Sequence, residues 1–198
     1  CRMAICGSCA MLINGVQRLA CATQVSALDL DRGYVEVRPL PNFRVVKDLI
    51  VDIRDMFEKY KVVKPYLIRR DVEEQENPTK EYLQKPEELT YLYYQFAQCI
   101  KCGACVSACP VTGTNRDYLG PMVLTQAYRY LADTRDQGEE ERLKAVDSTF
   151  GCWGCHFAGS CSNVCPKGVD PALAIQLLRK AVIKARLGLN PKPEVRKS

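Results

Sequence analysis

The sequence contains no apolar run near the roughly 20 residues needed to cross a bilayer, so any contact with a membrane is expected through partners. It has a single histidine, His156, and no serine-histidine-aspartate or paired-carboxylate arrangement beside any motif. Chemistry on a carbon substrate relies on positioned acids and bases, so it is not expected of this chain. Cysteine is absent from residues 22 to 98, a stretch long enough to build its own core. Net charge is +5, and the basic residues gather at the end, where Glu194 is the only acid after Asp170. No aromatic platform accompanies them, which argues against nucleic acid as a partner. A solvated helix and frayed tail explain the charge better than attraction to an anionic membrane surface.

What the sequence does have is twelve cysteines, in three tight groups. Cys1, Cys6 and Cys9 stand at C-x4-C-x2-C, the plant-type spacing for a 2Fe-2S centre, with Cys21 available as the fourth thiolate. Cys99, Cys102, Cys105 and Cys109, followed by Pro110, reproduce the bacterial ferredoxin run C-x2-C-x2-C-x3-C-P. The third group, Cys155, Cys161 and Cys165 before Pro166, repeats that run with Ala158 where a ligand would stand. In a two-cluster ferredoxin the cysteine of each C-P pair crosses to the other cluster. Crossed ligation assigns Cys99, Cys102, Cys105 and Cys165 to a 4Fe-4S centre. It leaves Cys109, Cys155 and Cys161 for the other, and 3Fe-4S is the simplest species with three thiolates.

Cys152 leaves a second possibility open. It lies three residues before Cys155, upstream of where the run has a ligand, and reads as a spare thiol; the competing reading has it complete a 4Fe-4S cluster. A disulfide framework would suit an even number of cysteines in a short chain but has no use for these spacings. Zinc would use two C-x2-C pairs per ion, which leaves the C-x4-C-x2-C and C-P spacings unexplained.

Elsewhere the pattern predicts two domains. Asn14-Gly15 between Met11-Leu12-Ile13 and Val16 to Leu19 signals a hairpin with two positive φ angles, which would bring Cys21 back toward Cys9. A strand is expected over Tyr34 to Arg38. From Val46 the residues Val46, Leu49, Ile50, Ile53, Phe57 and Tyr60 recur at helical spacing, predicting a helix packed on its own sheet. Residues 65–88 are charged, contain Pro65, Pro78 and Pro86, and read as a connecting segment between domains at 1–64 and 89–198. Beyond it, Pro121 in a first helical turn and Asp170 as an N-cap before Pro171 mark helices. Gly7, Gly103 and Gly154 are placed either to let backbone N–H groups approach sulfide or simply to turn the chain.

Cys1 to Cys9, Leu19-Ala20-Cys21, Cys99 to Cys105 and Cys165 to Pro171, with Phe43 to Asp52, Leu119-Gly120-Pro121 and Tyr128-Arg129-Tyr130 between them, resemble the iron-sulfur subunit of succinate dehydrogenase and fumarate reductase from end to end. The resemblance implies an α+β chain: an incomplete N-terminal β-grasp domain of plant-type ferredoxin kind, then an all-α bacterial-ferredoxin-like domain. It also implies that strands preceding Cys1 in the family are absent from this chain.

Functionally the resemblance implies a relay. The 2Fe-2S centre would face a flavoprotein subunit carrying FAD, the 4Fe-4S centre would lie in the middle, and the 3Fe-4S centre would face quinone in membrane-anchor subunits, on the cytoplasmic face of a bacterial or archaeal inner membrane. Pro110, His156 and Arg179 match family positions near the quinone. Gly113 and Thr114 stand where many succinate dehydrogenases have tryptophans, which looks more like the fumarate reductase branch and points to menaquinone. The alternatives are a relay subunit of another flavin- or quinone-linked reductase, or a non-enzymatic iron-sulfur module.

Overall fold

The computed structural model describes residues 1–31, 33–77 and 84–194. Two small sheets open the chain. Strands β1 (Ala10–Ile13) and β2 (Val16–Leu19) form an antiparallel hairpin in the register Ala10↔Leu19 to Ile13↔Val16, and β3 (Val37–Arg38) pairs with the free edge of β1. The turn between β1 and β2 is Asn14-Gly15, with φ of 46° and 79°, as a tight hairpin requires. Only Val37 and Arg38 of the expected strand enter the ladder. Before them, Glu36 hydrogen-bonds Asn14 through both its backbone groups, giving its N–H to the Asn14 side chain and accepting the Asn14 N–H.

The stripe from Val46 is not one helix. Strands β4 (Arg44–Lys47) and β5 (Ile50–Asp52) pair across a turn at Asp48, whose φ is 50°. Val45, Val46, Ile50 and Val51 are β-branched, stiff at χ1 and better suited to extended backbone, so the chain stays extended until the Asp52 carboxylate accepts the N–H of Arg54. There α1 (Arg54–Val62) starts. Nor does α1 pack on its own sheet: its buried residue Met56, with Val63 just beyond, joins the helical core of the second half.

The rest of the described chain is helical. After α2 (Val72–Glu76), the segment α3 (Pro86–Glu88) runs through a π-turn at Leu89–Tyr93 into α4 (Tyr94–Ala97). Then follow α5 (Ala104–Ser107), α6 (Pro110–Thr114), α7 (Pro121–Leu131), α8 (Glu139–Val146), α9 (Ser160–Asn163) and α10 (Pro171–Arg186). The core lies between α7 and α10, where Val123, Leu124, Ala127 and Leu131 meet Ala174, Ile175 and Leu178. Pro121 opens α7, and Asp170 caps α10 by accepting the Leu173 N–H at 3.0 Å. Both are the positions where these residue types satisfy a helix start.

The expected connecting segment is pinned over its described part. Ile68 gives its N–H to Asp136 at 2.8 Å and accepts that of Gln137, while Val63, Lys64 and Tyr66 offer their carbonyls to Arg142 at 3.2, 3.1 and 2.7 Å. Pro78 in this segment, and Arg196 and Lys197 in the basic tail, lie outside the described residues. Arg142 and Asp136 are ion-paired with no exposed side-chain surface, so α8 collects the end of α1 through a charge that has no water to fall back on. Removing one partner of a buried pair strands the other. Arg142→Ala is expected to lower stability by about 3–5 kcal/mol, read as a fall in the urea midpoint of the holoprotein; an unchanged midpoint would refute this role.

Candidate metal centres

The first thiol group sits on a loop that winds by left-handed turns, with φ of 61° at Arg2, 52° at Ala4 and 75° at Gly7. Cys1 and Cys6 are exposed on it, and the Ser8 side chain and backbone beside Cys6 draw its thiol below the usual range. The hairpin brings back Cys21, which follows β2 in a short 3-10 turn. The Ala20 N–H donates to the Cys9 carbonyl at 3.0 Å and the Cys21 N–H to the Cys9 sulfur at 3.4 Å.

The second and third groups fold as copies of one loop. In the second, Lys101 (φ 55°) precedes Cys102 and Gly103 (φ 81°) opens α5, which carries Cys105. In the third, Phe157 (φ 56°) precedes Ala158 and Gly159 (φ 74°) opens α9, which carries Cys161. Ala158 therefore occupies the backbone place of Cys102. The two loops frame two cavities. One has Cys99, Cys102, Cys105 and the remote Cys165 on its wall. The other has Cys109, Cys155 and Cys161, with Ala158 on the wall where a fourth sulfur would project.

The chemistry of these walls fits an iron-sulfur cluster in each cavity. All seven thiols are free. Burial pushes Cys99 and Cys102 up, and pushes Cys105 well up, with the neighbouring sulfurs adding to the effect. Cys161 is raised to about 11, first by burial and then by Cys109 and Cys155. Thiols that resist ionising beside one another are the ones a cationic centre would ionise, with release of protons on binding. Tyr118 lies on the wall of the second cavity, and its phenol is pushed up by burial and by the nearby Cys155, Cys109 and Cys161.

Cys152 is set apart from these walls. Its side chain is fully buried in the 3-10 turn Cys152–Gly154, burial raises it to about 11, and the charges that reach it belong to Arg179, Asp147 and Arg186. Pro110 and His156 do border the second cavity, on its exposed side with Phe157. Arg179 does not line that cavity. It lies over the Trp153 ring and donates to the carbonyls of Cys152 at 2.9 Å and Cys155 at 2.5 Å, clamping the base of the loop. Gly154 is needed for contact rather than for φ, since a Cβ there would come within 2.5 Å of the Thr149 carbonyl oxygen and 3.0 Å of the Tyr118 ring.

Two contacts join the first loop to the second. A Cβ at Gly7 would stand 2.7 Å from the Cys102 Cβ, so backbone lies directly on ligand loop. Asn42 gives its side-chain amide to the carbonyls of Val106, Ser107 and Cys109 at 3.1, 2.9 and 3.0 Å, closing the free end of α5. Neither Asn42 nor Tyr118 stood out in the sequence. Pro41-Asn42 marks a turn, but nothing local shows that the turn caps a helix some 65 residues further along.

A loop of plant-type spacing followed by two interlocked bacterial-type loops defines a multi-cluster iron-sulfur protein. Family profiles agree: a 2Fe-2S iron-sulfur cluster binding domain matches residues 1–58 and a 4Fe-4S dicluster domain matches residues 95–169. The fumarate reductase iron-sulfur subunit of Mycobacterium tuberculosis is 48% identical over 178 residues, covering 89% of this chain and 69% of the relative. That of Escherichia coli is 44% identical over the same shares. The succinate dehydrogenase iron-sulfur subunit of Coxiella burnetii is 43% identical over 93% of this chain and 75% of the relative. A chain of the Mycobacterium smegmatis Sdh1 complex in the apo form superposes with a TM-score of 0.78 at 25% identity, over 94% of this chain and 77% of that one. The chain belongs to the family of fumarate reductase and succinate dehydrogenase iron-sulfur subunits.

Gly7 carries a direct expectation. Gly7→Ala adds a methyl group where both the φ of 75° and the Cys102 Cβ oppose it, so the first two cluster loops must part. The electron paramagnetic resonance (EPR) signal of the reduced 2Fe-2S centre is expected to relax more slowly as its paramagnetic neighbour recedes. Relaxation identical to the parent protein's would show that the loops can absorb the methyl group.

Proposed function

We propose that the chain is the electron relay of a succinate dehydrogenase or fumarate reductase complex, with a separate ligand set for each of three centres. Cys1, Cys6, Cys9 and Cys21 hold 2Fe-2S; Cys99, Cys102, Cys105 and Cys165 hold 4Fe-4S; Cys109, Cys155 and Cys161 hold 3Fe-4S. Bound in series, such centres divide a two-electron flavin reaction into single-electron steps. The observation that carries this reading is the repeated loop, which sets Ala158 at the place of Cys102 beside a cavity walled by only three sulfurs. An alanine has no lone pair for iron, so the two centres differ although their backbones match.

The chain's own residues do the holding and insulating. Gly103 and Gly159 turn their loops so that α5 and α9 present Cys105 and Cys161 inward, Asn42 locks the 2Fe-2S half onto the second loop, and Arg179 braces the third. Residues 1–64 form the plant-type, β-grasp-like part, 65–88 the connection and 89–198 the α-helical ferredoxin part.

The exposed 2Fe-2S loop would dock on a flavoprotein subunit carrying FAD. The rim of Pro110 and His156, with Arg179 behind it, would approach menaquinone held by membrane-anchor subunits on the cytoplasmic face of the membrane. Among the described residues no helix is long and apolar enough to cross a membrane, which is in keeping with attachment through those subunits.

EPR during stepwise reduction of anaerobically purified protein tests the ligand sets. An oxidised-state 3Fe-4S signal is expected, with about nine iron atoms per chain from the three cluster types. Ala158→Cys should abolish that signal by supplying a fourth thiolate, and Cys152→Ala should leave all three signals in place. Loss of a signal in Cys152→Ala, or no oxidised-state signal in the parent, would refute the assignment.

A further inference from the structure

A cavity of about 270 Å³ lies in the joint between the two halves, with no cysteine on its wall. Met56 of α1, Val106 of α5 and Tyr118 are buried and give it an apolar floor. Around them stand three cations and two carboxylates, Arg44, Lys59 and Arg116 against Asp52 and Asp55. Both carboxylates are already engaged. Asp52 is held by Arg54 at 2.6 Å and Arg44 at 3.1 Å, and Asp55 by Lys59 at 2.7 Å. Arg116 differs from the other cations: among the described residues its guanidinium has no hydrogen bond or ion pair, and only its backbone carbonyl is used, by Lys59. The Thr112 hydroxyl oxygen, also on the wall, is buried without a partner, which costs free energy unless an occupant bonds it.

We propose that this cavity binds a small organic anion, its carboxylate taken by Arg116 and Thr112 and its apolar body lying on Met56, Val106 and Tyr118. A guanidinium presents a fork that matches a carboxylate in two parallel hydrogen bonds, and the one at Arg116 has no competing partner. A cationic ligand would have to displace Arg44, Arg54 or Lys59 from Asp52 and Asp55. An inorganic anion would leave the apolar floor uncovered and gain nothing from it. The volume is below the about 300–1,000 Å³ typical of drug-sized ligand sites, which limits the occupant to a small molecule. The wall draws on α1 from the first half and on α5 and the segment from Thr112 to Tyr118 from the second. The anion therefore binds only when the halves are joined, and by binding the folded state alone it stabilises the joint.

The probe is 4-fluorophenylacetate, whose fluorine is followed by NMR as it is titrated with the anaerobically purified holoprotein. Saturable line broadening is expected with this anion, and none with 4-fluorophenylacetamide, which has the same shape without the charge. Arg116→Ala is expected to weaken binding about tenfold, as the loss of a charge-assisted pair, and Arg116→Lys to recover part of that loss. Thr112→Val, of nearly the same shape without the hydroxyl, is expected to weaken it about fivefold. Since the Arg116 side chain holds no other group, the thermal midpoint of Arg116→Ala without probe should equal the parent's, and the probe should raise the parent's midpoint more than the variant's. No saturable broadening, equal binding of the amide, or unchanged affinity in Arg116→Ala would each overturn the site.

Discussion

Thiolates buried side by side repel one another, and the second half of this protein is organised around relieving that repulsion. Seven cysteine sulfurs face two cavities, none in a disulfide and the most enclosed of them pushed well above the usual thiol range. Apolar packing alone offers such an arrangement nothing, whereas a polynuclear iron centre would use such sulfurs as ligands and would add its binding energy to the fold. The short helices α5 and α9 make sense in this light. Four residues each, they are too short to be stable by themselves, yet each needs only to carry one sulfur to a cavity and rest on the α7–α10 core.

The same constraint explains how the halves are joined. An electron relay needs its centres close together, and closeness is obtained by removing side chains from one loop and satisfying backbone groups from another. Gly7 brings the first loop against Cys102, and Asn42 closes the carbonyl end of α5. The buried Arg142–Asp136 pair ties the end of α1 and the following segment to α8. The two halves are therefore joined by polar groups with defined geometry, supported by Met56 and Val63 in the common core.

Legibility in the sequence followed the range of the interaction. The Asn14-Gly15 turn, Pro121 at the start of α7 and the Asp170 cap were readable because each depends on a residue's own φ preference or on a partner three residues away. The stretch from Val46 misled because its apolar spacing suits a helix while its β-branched residues suit a hairpin. The hairpin forms with Val46 and Ile50 exposed, so burial did not decide the matter. Arg179 was readable as a residue close to the third loop, but the direction in which its guanidinium points was not. Asn42 carried no signal, since what distinguishes it is a set of partners far along the chain.

By itself the sequence determined which thiols each loop can offer: spacings of three and four residues fix which sulfurs a single loop can present, and Ala158 offers none whatever surrounds it. Only the tertiary structure decided which loops share a cavity, that Cys152 turns away from both, and that Tyr118 lines the three-sulfur one. The physical reason is that coordination within one loop is settled by local backbone geometry. Contacts between loops depend on how α7 and α10 pack, and that is a property of the whole core.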